Sequence, residues 1–587
     1  MNILGISAYY HESACCLLQD GHLVAAAEEE RFSRVKHDAR LPVSAVRYCL
    51  EAGGIDVADV DCVAYYELPA RKLARQLWAG DPLDGPPGLP WLDALRPQRD
   101  IRDVLGYEGR IATFEHHLSH AASAFLYSGF SDAAVFTVDG VGEWATTAYG
   151  QGHGSHVELL ERVEFPNSLG LLYSTITSYL GFRVNSGEYK VMGLAPYGEP
   201  RYVEQVRALI DSRPGGQFVL DGRYFDFRGG KRMFTDRLFE LFGAPAREPE
   251  SDIAPFHRDV ARSVQAVLEE VLLEKVRYLG TRVDSPRLCM AGGVALNCVA
   301  NGRILREGPF EELFVQPAAG DAGGCLGAAA LAFVQLTGRR PPGGRLRHVY
   351  LGPRYASETV AAQLASLGVQ ALDFRGAEAG LLEAVVDRLV AGQAVGWFHG
   401  AMEFGPRALG ARSIVADPRA ADMRERLNRL VKRREAFRPF APSVLLRAAP
   451  EHFDLDHPSS FMLETCAVRS PLDLPAITHV DGSARPQTVE REQLPRFAAL
   501  LEAFDRRTGC PVLLNTSFNV RDEPIVCSPV DALSCLVESD LPCVALEDFI
   551  IDRAMIGPEL ARLLKHRTEV HRRDREGTPG AAVYTFV

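Results

Sequence analysis

Apolar residues open this chain in short blocks separated by turn signals. Residues 2–7, 14–18 and 23–27 are apolar runs, and Gln19-Asp20-Gly21-His22 between the last two predicts a hairpin. A helical pattern over 43–52 stops at Gly53-Gly54, and residues 61–66 return to strand. Residues 68–105, rich in Pro, Trp and Arg, break the alternation and predict a surface excursion. Strand-like runs at 133–138 and 145–149 flank an acidic glycine turn. The logic then repeats, with a helix over 258–278, a short buried strand at 287–290 and a Gly292-Gly293 turn into another helix. Two passes of strand, glycine turn and strand predict two related α/β halves facing a cleft. Residues 337–345 carry two prolines, three glycines and three arginines and read as a linker. Beyond it, strands at 394–398 and 512–514 and a helix at 381–390 predict a second α/β domain, and the charged tail after Pro558 reads as a solvated helix.

Composition narrows the partners more than the fold. With 587 residues, 47% of them hydrophobic and 24% charged, the chain is long enough for two or three domains with ordinary cores. Lys+Arg 64 against Asp+Glu 76 gives a net charge of −12, the wrong sign for a protein that mainly grips nucleic acid. The twelve cysteines include no Cys-x-x-Cys pair and lie among apolar neighbours, as reduced thiols of a cytoplasmic protein would. No signal peptide is expected at the amino terminus, and the most apolar later run, 325–334, is too short to span a bilayer, so neither nucleic acid nor membrane is expected as a partner.

Four segments carry candidate chemistry. Glu115-His116-His117-Leu118-Ser119-His120 places His116 and His120 at i and i+4, one helix face and a metal-ligand spacing; two surface imidazoles near a cap is the plainer alternative. His117 points away from that face. An apolar strand ends in Asp139-Gly140-Val141-Gly142, which offers a carboxylate beside bare backbone amides of the kind that approach phosphate. Gly292, Gly293 and Asn297 occupy a strand-to-helix junction where a nucleotide could lie. Asp321 opens another glycine-rich helix, as a ligand or as a simple N-cap. Two His and two Asp together suit a hard-to-borderline divalent metal.

These residues in this order resemble the acetate-kinase, sugar-kinase and actin-like (ASKHA) superfold, in the branch shared by tRNA threonylcarbamoyl transferases and O-carbamoyltransferases. The opening Gly5-Ile-Ser-Ala-Tyr-Tyr-His11-Glu12-Ser13, the stretch from Glu29 to Asp38 and the stretch from Gly187 to Gly198 resemble the NodU/CmcH-type O-carbamoyltransferase family over nearly the whole chain. The later segments Met402–Ser413, Lys432–Arg438, Asp481–Thr488 and Leu514–Asn519 are rich in Arg, amide and hydroxyl donors that suit a small dianion.

The resemblance implies an ASKHA-type transfer domain over 1–340, a linker over 341–352 and a YrdC-like α/β domain over 353–587. It implies that Arg407, Lys432, Arg438 and Arg485, with Asn515, Ser517 and Asn519 behind them, bind carbamoyl phosphate, which with ATP and Mg2+ gives carbamoyl-adenylate. A divalent metal on His116, His120, Asp139 and Asp321 would serve transfer to the hydroxyl of a small-molecule acceptor; iron is the expectation, with Mn2+ and Zn2+ as alternatives. Gly140, Gly142, Lys190, Gly292, Gly293 and Asn297 are the nucleotide candidates. His11, Glu12 and Lys36 are the catalytic candidates, with either His11 or Glu12 as base and Lys36 also a phosphate partner. The acceptor and the oligomeric state are left open, with a homodimer as one candidate. A tRNA threonylcarbamoyl transferase fits the acidic charge and the long second half less well, and a non-catalytic actin-like switch would not need the arginine-rich motifs.

Overall fold

The computed structural model describes residues 1–79, 93–227, 232–432 and 434–576. Among these the chain forms two compact units, the first built from residues 1–29 and 37–346 and the second from 30–36 and 347–576. All twelve cysteines are free and buried. Among the described residues no helix is long and apolar enough to cross a membrane.

The first unit holds two five-stranded sheets of one design. The first sheet has β1 (Asn2–Ser7), β2 (Ala14–Gln19), β3 (His22–Glu28), β4 (Cys62–Tyr65) and β5 (Arg110–Thr113). Their order is β3-β2-β1-β4-β5, with β1, β2 and β3 an antiparallel meander and β4 and β5 parallel to β1. The second has β6 (Asp132–Val138), β7 (Ala145–His153) and β8 (His156–Glu164) and, after a small ribbon of β9 (Ile210–Ser212) and β10 (Phe218–Leu220), β11 (Arg287–Ala291) and β12 (Glu312–Val315). Its order, β8-β7-β6-β11-β12, repeats the same meander with two parallel additions. This duplication is the pair of related halves expected from the sequence. Strands β1, β2, β4, β6 and β11 are buried almost throughout, which is why they read as unbroken apolar runs rather than alternating ones.

The parallel strands matter most for function, because in open α/β sheets ligands gather beyond the carboxyl ends of the strands. Beyond β5 comes helix His116–Phe125; beyond β6, Asp139; beyond β11, Gly292; beyond β12, helix Asp321–Thr337. The two helices approach until a methyl group on Gly327 would lie 1.8 Å from the Ser119 carbonyl oxygen. Only hydrogen fits there. The expected excursion at 68–105 contains helices Pro69–Ala79 and Arg96–Leu105, while 80–92 lie outside the described residues.

The second unit is a mixed eight-stranded sheet with helices. Its strands are β13 (Leu372–Asp373), β14 (Val395–Phe398), β15 (Arg412–Ala416), β16 (Ala441–Leu445), β19 (Gln487–Val489), β20 (Val512–Ser517), β21 (Cys543–Leu546) and β22 (Phe549–Asp552); a short β17 (Cys466–Ala467) and β18 (Ser483–Ala484) pair apart. The order is β13-β22-β21-β14-β15-β20-β16-β19. Helices Glu378–Val390 and Pro495–Thr508 bury Leu381, Val385, Phe497 and Phe504 in a core that includes Trp397 and Phe398. Residues 30–36, which the sequence reading grouped with the first domain, belong here. Arg34 donates to the carbonyls of Ile525 and Pro524 at 2.7 and 2.8 Å, Arg31 donates to that of Gly405 at 2.9 Å, and Phe32 packs on Met402, Ala408, Ile525 and Cys527. The charged tail forms helix Pro558–Glu576.

The Gly327 crossing yields a direct test. Gly327→Ala forces two helices apart and is expected to cost about 1–3 kcal/mol, the range of core overpacking, in urea unfolding. Ser119→Ala leaves the carbonyl in place and removes a hydroxyl that has no partner among the described residues, so it should be close to neutral.

Candidate functional site

Four side chains from three distant segments converge in the first unit. His116 and His120 lie one turn apart on helix His116–Phe125, Asp139 ends β6, and Asp321 starts its own helix; all four are buried. His116 Nε2 is 3.0 Å from His120 Nε2 and 3.0 Å from Asp139 Oδ2, and His120 Nε2 is 3.3 Å from the same oxygen. Asp321 Oδ1 stands 3.7 Å from both imidazoles. Ligands about 2.1 Å from one ion lie roughly 3.0–3.4 Å from one another, so a divalent cation suits this spacing with little adjustment. Asp321 Oδ2 has no hydrogen-bond partner among the described residues, and Gly320 rather than Asp321 occupies the N-cap position.

The cluster is braced from outside. The Gly293 N–H donates to Asp139 Oδ1 at 2.8 Å, leaving Oδ2 for the imidazoles. Gly292, at φ +95°, lets that amide reach: a methyl there would lie 2.2 Å from the Val138 carbonyl oxygen. Ser168 Oγ lies within hydrogen-bonding distance of the carbonyls of Asp139 and Gly140, at 3.1 and 2.6 Å. Glu143 accepts the backbone N–H of His116 at 3.0 Å, and Gly142 leaves room for the His116 ring. His117 turns the other way, its Nδ1 2.8 Å from Thr137 Oγ1.

Charge follows from this crowding. Burial pulls both ligand imidazoles down, but Asp139 and Asp321 outweigh it and hold His116 above its ordinary value and His120 at about 9. Burial opposes ionisation of the two carboxylates, yet the imidazoles keep both below the usual carboxylate range. Burial and the neighbouring imidazoles hold His117 well below its ordinary value, hence neutral.

His11 and Glu12 lie beyond the end of β1. Burial lowers the His11 value against the pull of Asp321 and Glu12, so its ring is neutral near pH 7. Its Nδ1 is 3.1 Å from the Asn185 amide nitrogen; with that amide donating, the ring proton resides on Nε2. Glu12 is 3.4 Å from His37 Nδ1, and its other oxygen faces Gly320. Tyr66, which no spacing in the sequence singles out, packs its ring 5.2 Å from that of His116, with a buried hydroxyl unpartnered among the described residues. Two nucleotide candidates have partners of their own. Asn297 caps helix Cys298–Glu307 and pairs twice with Gln265, and the Lys190 amine lies over the Phe182 ring at 5.6 Å.

The second unit gathers a separate cationic set. Lys432 is buried and donates to the Ser517 carbonyl, to Ser517 Oγ at 3.2 Å and to Asn519 Oδ1 at 2.7 Å. Burial, reinforced by Arg434, Lys36 and Arg438, pushes its amine well below the ordinary lysine value. Lys36 therefore belongs with this set. Arg438 pairs with Glu435 at 2.9 Å, while Arg485 is half-buried with no side-chain partner among the described residues. Asn515 is buried, donating to Ser443 Oγ and Gln487 Oε1 at 3.0 Å each; Gln487 in turn holds the Leu409 carbonyl, two residues past Arg407. Arg412, grouped with Arg407 in the sequence as an anion-reading guanidinium, is instead buried on the Phe398 ring at 3.6 Å and donates to the carbonyls of Pro353 and Gly400.

Comparison with known proteins bears on both units. Residues 2–78 and 103–330 match the family model described as carbamoyltransferase N-terminus, and 386–553 match carbamoyltransferase C-terminus. The chain is 45% identical to the uncharacterized protein sll1178 of Synechocystis, covering 94% of this chain and 96% of that one. It is 39% identical to nodulation protein NolNO of Sinorhizobium fredii, covering 94% and 80%. Among solved structures, component A of (R)-2-hydroxyglutaryl-CoA dehydratase from Acidaminococcus fermentans is similar at a TM-score of 0.30 and 14% identity, over 57% of this chain and 98% of that one.

Two outcomes follow from the cluster. In chelator-treated protein, the raised imidazoles contribute stability that is complete below their ordinary value of 6.5 and is lost as pH rises through about 9. Thermal melting should therefore fall across that window, and added divalent metal should flatten the profile; a flat profile without metal would contradict the pairing. Asp321→Asn keeps the size and removes the charge, so bound metal measured by elemental analysis should drop by about one to two orders of magnitude in affinity.

Proposed function

The chain belongs to the carbamoyltransferase family, and from that footing we propose that it is an ATP-dependent O-carbamoyltransferase working through carbamoyl-adenylate. The observation that supports this most is the presence of two different sites: a four-residue metal-type cluster in the first unit and a cationic, amide-lined set in the second.

In the second unit, read as a YrdC-like domain, Arg407, Lys432, Arg438 and Arg485 neutralise carbamoyl phosphate while Ser517 and Asn519 hold the Lys432 amine in place. An arriving dianion restores the charge that burial withdraws from Lys432. Water releases phosphate and leaves carbamate. A carbamate oxygen then attacks the α-phosphorus of Mg-ATP, and pyrophosphate departs. Carbamate is short-lived in water, so making and using it within one protein limits its loss.

In the first unit an acceptor hydroxyl attacks the carbamoyl carbon, the bond from that carbon to the phosphate oxygen breaks, and the products are an O-carbamate and AMP. Glu12 takes the hydroxyl proton, with His37 beside it to receive the charge. His11, carrying its proton on Nε2, donates to a developing oxyanion. The bare turn at Gly140, where an added methyl group would meet nothing within 4 Å, offers the adenylate phosphate a close approach. His116, His120, Asp139 and Asp321 would hold a divalent ion, Fe(II) first and Mn(II) or Zn(II) next, which supplies Lewis-acid stabilisation of charge at the leaving group.

Pyrophosphate release from ATP that depends on carbamoyl phosphate tests the first half, and two variants separate the halves. Arg438→Ala should abolish that release, and synthetic carbamoyl-adenylate should restore product. His116→Ala should keep most of the release but lose O-carbamoyl product by about two orders of magnitude, the scale of losing one electrostatic stabiliser, with no rescue by the adenylate. Equal rescue of both variants would replace the two sites by one.

A further inference from the structure

Residues 404–411 of the second unit form no helix or strand, so no ladder holds their backbone. Yet only the tip of this loop reaches solvent: Pro406 is exposed and Arg407 half-buried, while residues 402–405 and 408–412 are buried. Buried backbone polar groups need partners, and here side chains supply them. Glu403 Oε1 accepts the N–H groups of Leu409 and Ala411 at 2.7 and 2.8 Å and that of Arg412 at 3.2 Å. On the carbonyl side, Gln487 Nε2 and the Tyr350 hydroxyl donate to the Leu409 oxygen at 2.6 and 2.9 Å, and Asn515 Nδ2 donates to the Ala408 oxygen at 3.3 Å. One carboxylate therefore takes the amides, and a set of donors takes the carbonyls of the two residues that follow Arg407.

These donors are themselves fixed. Asn515 on β20, Ser443 on β16 and Gln487 on β19 belong to three neighbouring strands, and Gln487 lies directly opposite Ser443. A carbonyl oxygen only accepts, so Gln487 must turn Nε2 to Leu409. That leaves its Oε1 for the Ser443 hydroxyl at 2.7 Å and for Asn515 Nδ2 at 3.0 Å. The Asn515 amine then has three acceptors, Ser443 Oγ at 3.0 Å being the third, for two hydrogens. It has no donor left for a phosphate, and its Oδ1, an acceptor, would repel one. Two residues further along the same face of β20, Ser517 Oγ lies 3.2 Å from Lys432 Nζ. One strand thus carries a prop for the Arg407 loop and a prop for Lys432, about 6–7 Å apart along its axis.

We infer that Gln487 and Asn515 are positioning residues of the anion site: neither bonds to the phosphate, and their amides hold the loop that presents Arg407 in register with Lys432. The family resemblance put Asn515 among the ligands of carbamoyl phosphate, and the bonds it makes give it this other part. The inference rests on the reading of Arg407 and Lys432 as carbamoyl phosphate ligands, and it adds to that reading the residues that keep the two cations at a set spacing.

Calorimetric titration of the full-length protein with carbamoyl phosphate, without ATP, tests this together with hydrogen–deuterium exchange of residues 404–412. Gln487→Met deletes one amide at similar length, and Asn515→Ala deletes the other. Tyr350→Phe removes a single hydroxyl from the Leu409 carbonyl and disturbs folding least. In each variant the amides of Leu409, Ala411 and Arg412 should exchange faster and carbamoyl phosphate should bind more weakly. The loss should be about tenfold for Gln487→Met and Asn515→Ala, the scale of one hydrogen bond to a charged group, and smaller for Tyr350→Phe. A double-mutant cycle separates positioning from general stability. Because Gln487 acts through Arg407, adding Gln487→Met to Arg407→Ala should weaken binding by no more than about twofold further. Losses that multiply, or exchange that changes in none of the three variants, overturn the inference. If the unaltered protein binds no carbamoyl phosphate, the reading of the anion site fails and the inference with it. Exchange needs no ligand, so it tells that failure apart from a loop that Gln487 never held.

Discussion

The contact between Gly327 and the Ser119 carbonyl governs the geometry of the first unit's site. Helices His116–Phe125 and Asp321–Thr337 meet backbone to backbone there, closer than any residue with a β-carbon allows. Asp321 lies six residues before Gly327, and His116 and His120 flank Ser119, so the crossing sets the distance between ligands drawn from both helices. Gly292 does similar work for the third segment, because its positive φ lets the Gly293 amide reach Asp139. Two glycines therefore fix four side chains that the chain separates by up to about two hundred residues.

Electrostatics makes that arrangement one-directional. Two buried carboxylates facing two buried imidazoles are stable only with positive charge among them, either protons on the rings or a cation bound by all four. The second unit shows the opposite condition. Lys432 is buried among arginines and Lys36, and its amine is held by oxygens of Ser517 and Asn519, so a positive region awaits negative charge. An overall charge of −12 gives no hint of this, because both effects are local and of opposite sign.

Much of this was legible in the sequence where the signal was local. The strand runs, the hairpin at Asp20-Gly21 and the i, i+4 histidines depend on periodicities of a few residues, and the structure has them where the pattern puts them. The repeated sheet design was legible because each strand–glycine turn carries its own marks. What could not be read depends on partners far away in sequence. Arg412 looks like an anion-binding guanidinium until the Phe398 ring and the carbonyls of Pro353, His399, Gly400 and Ala411 engage it. Asn297 sits at a strand-to-helix turn, and its pairing with Gln265, thirty-two residues earlier, has no local mark. Tyr66 closes an ordinary apolar strand and gains meaning only from the His116 ring beside it. Lys36 lies in a motif with His37, yet the chain assigns the two residues to different units.

That last feature bears on how the chain is made. Arg34 bonds the carbonyl of Ile525, 491 residues later. At about 5–20 residues per second, a ribosome needs roughly 25–100 s to deliver that partner after Arg34 has emerged. Throughout that interval residues 30–36 carry the apolar Phe32 and two arginines whose acceptors do not yet exist. Residues 30–36 are thus made long before the rest of the unit they belong to, and completion of that unit is what supplies Arg31 and Arg34 with their acceptors.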